Sequence, residues 1–202
     1  KVAVTRFGAA TDVAARVALR RHHVDPERDV TILQLGGMPE ILGALSTGAV
    51  QGGVLSPPSL FRARRLGLRE LVDVTDLDIT FPNPGIIVSQ RRIQADPEQI
   101  RRFMRGFVEG IAAAKRQKEF TKAVIGRYTR TTDPDVLEET YQLFVVKLLR
   151  RLPSPDLPAV RSALEVVARQ NPRARSARPE AFVDDRFVKE LEQSGLLERL
   201  YP

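Results

Sequence analysis

The sequence predicts an α/β chain, with a doubly wound α/β unit over residues 1–78, a crossover at 79–84 and a mainly helical remainder over 85–202. Three observations carry this reading. Short apolar runs alternate with amphipathic helical patterns as far as Val74. Glycine and proline punctuate each change of pattern. Beyond Ser89 the apolar periodicity is helical throughout.

Val2 to Arg6 reads as a short buried strand, and Thr11 to His22 as a helix with Val13, Ala14, Val17 and Ala18 on one face. The turn Asp25-Pro26-Glu27-Arg28 leads into a second strand, Val30 to Leu35. Gly36-Gly37 closes that strand, and Pro39 begins a helix that buries Ile41, Leu42 and Leu45. Gly48 ends the helix. A strand from Val50 to Leu55, a helix from Pro57-Pro58 and a strand from Leu71 to Val74 follow. Strands spaced by helices in this way pair in parallel through right-handed crossovers.

The proline-punctuated run Asp78-Ile79-Thr80-Phe81-Pro82-Asn83-Pro84 reads as a segment crossing between two lobes. One more strand is expected at Gly85 to Ser89. Asp96-Pro97-Glu98-Gln99 combines an N-cap, a proline at the first helical position and a capping-box glutamine. It opens a helix striped by Ile100, Phe103, Met104, Phe107 and Ile111. Asp133-Pro134 opens another, striped by Val136, Leu137, Tyr141, Phe144, Val145 and Leu148. Leu157 to Ala168 and Phe182 to Leu191 supply two more, the last ending at Gly195. A lone strand beneath these helices is an incomplete layer. Phe103, Phe107, Phe144, Leu148 and Leu149 therefore need a cover: a homodimer through the strand edge and adjacent helices is the first expectation, with a separately supplied N-terminal segment or rearranged helices as the alternatives.

Composition narrows the function. Hydrophobic content of 43% and charged content of 28% are those of an ordinary globular protein. No run of about 18 apolar residues suggests a membrane span. Without cysteine there is no thiolate nucleophile, disulfide or thiolate metal site. Histidine is limited to His22-His23, whose side chains diverge on a regular helix and cannot share a metal ion. No metal and no cofactor are expected. The net charge of +7 raises nucleic acid as a partner. The arginines come as scattered pairs without interleaved aromatics, so no nucleic-acid binding is expected. Asp73, Asp76 and Asp78 lack the spacing of a calcium loop and read as solvent-facing crossover residues.

Five segments, taken in order, carry a resemblance. They are Val4-Thr5-Arg6-Phe7-Gly8-Ala9-Ala10-Thr11-Asp12, Asp25-Pro26-Glu27-Arg28-Asp29-Val30, Gly37-Met38-Pro39-Glu40-Ile41, Ala44-Leu45-Ser46-Thr47-Gly48-Ala49-Val50 and Val54-Leu55-Ser56-Pro57-Pro58. Together they closely resemble the second lobe of the nitrate/sulfonate/taurine and thiamine-pyrimidine class of periplasmic solute-binding proteins. The strand Pro84-Gly85-Ile86-Ile87-Val88-Ser89 and the helix at Asp96-Pro97-Glu98 look like that family's return into its first lobe. The resemblance implies a type II periplasmic-binding-protein fold, in which residues 1–78 form one doubly wound α/β lobe. Residues 85–202 would then be the helix-rich C-terminal part of the other lobe. It implies a non-enzymatic, extracytoplasmic or periplasmic component of an ABC importer, which binds a small solute between lobes and docks on a permease. The segment that builds most of the first lobe in that family is expected upstream of Lys1. A ligand-sensing regulatory domain of the same fold is the alternative, and an enzyme of the pyrimidine-synthesis branch is disfavoured by the absence of cysteine.

In an open α/β sheet, ligands lie beyond the carboxyl ends of the strands. Here those ends carry Arg6, Phe7, Gly8, Ala9, Ala10 and Thr11, then Gly37 and Met38, then Ser56, with Asn83 on the crossover. Gly8 and the two alanines leave room for a ligand to approach the backbone, and a helix start at Thr11 offers free N–H groups. With Arg6 nearby, an anionic solute is the expectation. The competing reading is an ordinary tight turn with Thr11 as the N-cap. Ser56 has no histidine partner and no nucleophile-elbow motif, and its simplest role is to cap the helix that follows. The family places glycine near His23, where a left-handed turn ends the helix.

Overall fold

The computed structural model describes residues 1–77, 85–168 and 171–201. The chain divides into two compact units, residues 1–83 with 161–177 and residues 84–160 with 178–202. The three tyrosines, Tyr128, Tyr141 and Tyr201, all belong to the second unit.

The first unit is built on a parallel sheet of order β2-β1-β3, where β1 is Val2–Val4, β2 is Ile32–Gln34 and β3 is Gly52–Gly53. Val2 stands opposite Ile32 on one side and Gly52 on the other. Helices α1 (Ala10–Arg21), α2 (Met38–Ser46) and α3 (Ser59–Arg65) follow the three strands in turn. Ala3, Ile41 and Val50 form the centre of its core, with Leu33, Leu35, Ala44, Leu45 and Leu55 packed around them. The strand expected over Val50 to Leu55 is confined to two glycines, and α2 packs closely on the second of them. A Cβ placed on Gly53 would fall 2.6 Å from Ile41 Cγ2.

The expected strand Leu71 to Val74 does not form. Among the described residues nothing pairs with it, Leu71 is exposed, and Val74–Leu77 coils into a 3-10 turn. Arg21 Nη1 donates to the Asp76 carbonyl at 2.9 Å and ties this turn to the end of α1. That end is a Schellman closure, with His23 N donating to Arg20 O at 3.1 Å and Val24 N to Leu19 O at 2.9 Å. His23 occupies its left-handed position, at φ 60°.

The second unit is helical. It contains α4 (Gln90–Ala95), α5 (Pro97–Arg116), α6 (Lys118–Thr129), α7 (Pro134–Thr140), a π-helical continuation (Tyr141–Leu148), α9 (Arg186–Gln193) and α10 (Leu196–Leu200). Helix α8 (Leu157–Val167) carries the chain back to the first unit at Arg161. The expected strand Gly85 to Ser89 is unpaired, and its Ile87 is 95% exposed. A ladder needs a neighbour, and none exists among the described residues of this unit.

Asp96 Oδ1 accepts from Gln99 N at 2.9 Å and caps α5 as expected. Gln99 does not return the bond, because its Oε1 accepts from Arg92 Nε at 2.7 Å instead. Asp133 Oδ1 caps α7 through Asp135 N at 3.0 Å and Val136 N at 3.2 Å. The helix expected from Phe182 begins only at Arg186, because Asp184 engages the Arg186 N–H and guanidinium and leaves Phe182 exposed on a separate turn.

Ile100 and Met104 of α5 meet Phe187 and Val188 of α9 in one core. Phe103 and Phe107, expected on the same stripe, are exposed, with their rings stacked at 6.3 Å. Phe144 and Leu148 are exposed as well. Glu138 joins α7 to α6, accepting from Lys118 and Lys122 at 2.6 and 3.0 Å and from Gln142 at 2.9 Å. These donors hold its carboxyl well below its ordinary 4.5, at about 2.

Candidate functional site

Parallel pairing brings the carboxyl ends of β1, β2 and β3 to one edge of the sheet. Beyond Val4 the chain turns through Thr5, Arg6, Phe7 and Gly8 into α1. Gly8, at φ 76°, supplies the left-handed step that this turn requires. Arg6 and Phe7 are exposed, and Ala9 and Ala10 are half-buried. Phe7 N donates to Gln34 Oε1 at 3.1 Å, and Gly36 N donates to Thr5 O at 3.0 Å. These two bonds set the first turn beside the second. There Gly36, at φ 93°, leads through Gly37 into α2, with Met38 half-buried at its first position.

Thr11 is not the N-cap. Helix α1 starts one residue earlier, with Ala9 at the cap, and Thr11 is buried in the first turn. Its Oγ1 faces inward, accepting from Thr5 N at 3.0 Å and sharing a 2.8 Å hydrogen bond with Thr5 Oγ1. Ser56 does not cap α3 with its side chain either. Its carbonyl accepts from Leu60 N at 3.1 Å, and α3 begins at Ser59. Ser56 is half-buried, and its hydroxyl has no partner among the described residues. Asn83 lies outside the described residues. The edge therefore gathers Arg6 to Thr11 with Gly37 and Met38, and Ser56 follows β3.

Two residues at this edge escaped the sequence reading. Asp12, 6% exposed, accepts from Gly8 N through Oδ2 at 2.8 Å and from Arg16 Nε through Oδ1 at 2.8 Å. Arg16 continues to Glu27, in the turn beyond α1, at 3.1 Å, and Glu27 also accepts from Arg20 at 2.8 Å. Glu40 lies over the entry to α2, where a Cβ on Gly37 would fall 2.3 Å from its Oε2. Both acids stand in the first turn of their helices, the favoured place for a carboxylate beside unpaired N–H groups. That positional signal was present in the sequence.

Arg6 makes no ion pair among the described residues. The N–H groups of Ala10 and Thr11 have no acceptor among them. His22 and His23 are exposed at the far end of α1, beside a shallow recess lined by Arg20, Asp25 and Glu27. No cluster of three or more His, Cys, Asp or Glu side chains suits a metal ion among the described residues. No described helix is long and apolar enough to cross a membrane.

A family model described as NMT1/THI5 like matches residues 1–119, more than half of the chain. No curated protein and no solved structure matches.

Proposed function

Because the chain belongs to the NMT1/THI5-like family, the nitrate/sulfonate/taurine and thiamine-pyrimidine binding proteins of type II periplasmic-binding fold, we propose that it recognises a small solute for an ABC importer. It acts on the extracytoplasmic side and hands the solute to a permease. The solute rests on the carboxyl edge of the three-stranded sheet, against the turn from Arg6 to Thr11 and the neighbouring Gly37 and Met38.

One observation carries this reading. A glycine turn at φ 76° opens onto a helix whose Ala10 and Thr11 N–H groups have no acceptor among the described residues. Glycine and alanine leave the backbone open, so a bound group can reach those donors directly. The chemistry is binding without turnover. The chain has no cysteine, its two histidines are exposed at the other end of α1, and Ser56 has no base beside it.

A thermal-shift panel of nitrate, sulfonates, carboxylates, amides and aminopyrimidines tests the proposal, followed by titration of any hit. Gly8→Val strains the left-handed turn and puts a branched side chain where the backbone is open. It is expected to weaken the hit at least about tenfold, roughly the loss of one good hydrogen bond. Unchanged affinity in a folded Gly8→Val protein would place the solute elsewhere.

A further inference from the structure

Resting on that reading, we infer that Gln34 is the side chain that selects the solute. Its carboxamide is held by the Phe7 N–H, and its amino half donates to an acceptor oxygen or ring nitrogen on the bound molecule.

Gln34 is the last residue of β2 and is exposed, at the carboxyl end of the strand beside β1. Its Oε1 accepts from Phe7 N at 3.1 Å. A backbone N–H can only donate, so this bond fixes which half of the amide is oxygen and which is nitrogen. Nε2 therefore lies on the other side of Cδ from the Phe7 contact. Its N–H groups have no acceptor among the described residues. Gln51 and Gln142 differ in this respect. Their Nε2 atoms donate to Gly48 O at 3.1 Å and to Glu138 Oε1 at 2.9 Å.

The other polar side chains of the turn are less suited to the task. The Thr11 hydroxyl is engaged with Thr5 at 2.8 and 3.0 Å. The Asp12 carboxylate is shared between the Gly8 N–H and Arg16. Arg6 is exposed and makes no ion pair among the described residues, so fixing its long side chain on a ligand costs rotamer freedom. Gln34 is oriented by Phe7 before a solute arrives, which lowers that cost. The same bond couples recognition to the turn, because the side chain that offers the donor also ties Phe7, next to Gly8, to the end of β2. Gln34 Nε2 and the Ala10 and Thr11 N–H groups are all donors. The matching solute is rich in acceptors: a carboxylate, sulfonate, nitrate, carbonyl or pyrimidine.

Gln34→Glu and Gln34→Ala, made in the whole chain, separate a solute contact from a purely structural role. Glutamate keeps an acceptor for the Phe7 N–H and removes both donors, whereas alanine removes donors and acceptor without adding charge. The probes are nitrate, methanesulfonate, acetate, pyrimidine and dimethyl sulfone, which carry acceptors only. Two sets of resonances are read. The backbone amides of Gly8, Ala10 and Thr11 report a solute at the edge, and the Gln34 side-chain amide reports the contact. In the unaltered chain a binding probe should shift both sets along one titration curve. Gln34→Glu should leave the Phe7 amide as slow to exchange as before and weaken the probe about tenfold, the scale of one lost hydrogen bond. Gln34→Ala should weaken it at least as much and also speed exchange at Phe7. A probe that moves the backbone amides but not the Gln34 side chain, or that binds either variant as before, would overturn the inference and leave solute binding at this edge standing. Silence of both sets toward every probe would sink the solute reading, and the Gln34 contact with it.

Discussion

Gly53 is where helix α2 and the sheet come closest, and its substitution has a computable consequence. A Cβ there would lie 2.6 Å from Ile41 Cγ2, 3.4 Å from Leu45 Cδ1 and 3.6 Å from Ala3 O. The first distance is about 1 Å inside a normal carbon–carbon contact, and Ile41 is 0% exposed and cannot swing into solvent. Gly53→Ala must therefore push α2 off the sheet. Overpacking of this kind costs about 1–3 kcal/mol, against a gain of roughly 0.5–1 kcal/mol from the lower backbone entropy of alanine. A net loss of about 1–2 kcal/mol is expected. The clashing atom is the β-branch methyl of isoleucine, which leucine lacks. Ile41→Leu alone should cost less than about 1.5 kcal/mol, and combined with Gly53→Ala it should recover about 1 kcal/mol of coupling. Hydrogen exchange in urea follows the first unit separately, through the Leu35 and Val54 amides that bond to Val4 and Ala3. Simple additivity of the two substitutions, or a Gly53→Ala chain whose Leu35 and Val54 amides are as protected as before, would refute the argument.

His23→Gly relieves a left-handed residue that closes α1. It should stabilise the first unit by about 0.5–1 kcal/mol, measured as a higher urea midpoint for exchange at those same amides; a lower midpoint would show that the histidine side chain contributes more than its backbone costs. Glu138 titrates below its ordinary value, so its contribution is complete above pH 4.5 and drains as the pH falls toward about 2. Acid unfolding of the second unit should therefore lose steepness across that window in Glu138→Gln, followed by circular dichroism, and an unchanged acid limb would mean that the lysine contacts have no net effect.

The parts of this fold that were legible were those specified within a few residues. Asp96-Pro97 and Asp133-Pro134 mark helix starts with their own side chains, and both caps form. The left-handed closure at His23 was expected only through the family resemblance, which places glycine near that position. Strands were legible as apolar runs but not as ladders. Leu71 to Val74 and Gly85 to Ser89 have the composition of strands, yet pairing depends on a neighbour that no local pattern supplies. The same limit affected the site. The Gly8 turn was visible, but the reading took its charge from Arg6 and overlooked the acid four residues after the glycine. Whether Asp12 would face solvent or fold back onto the Gly8 N–H is a matter of side-chain geometry within the first turn of α1. The competing reading of Thr11 as an N-cap fails for a related reason, because its hydroxyl satisfies Thr5 across the strand end instead of its own helix.

The distribution of aromatic residues also decides how this protein can be watched. There is no tryptophan, and every tyrosine belongs to the second unit. Intrinsic fluorescence therefore reports on the helices around Tyr128, Tyr141 and Tyr201, while the sheet edge proposed to hold the solute is optically dark. Phe7 is 56% exposed on that edge, and its side chain is not part of the first unit's core. A tryptophan introduced there as Phe7→Trp would be the chain's only indole, and its emission would come from the turn beside Gly8.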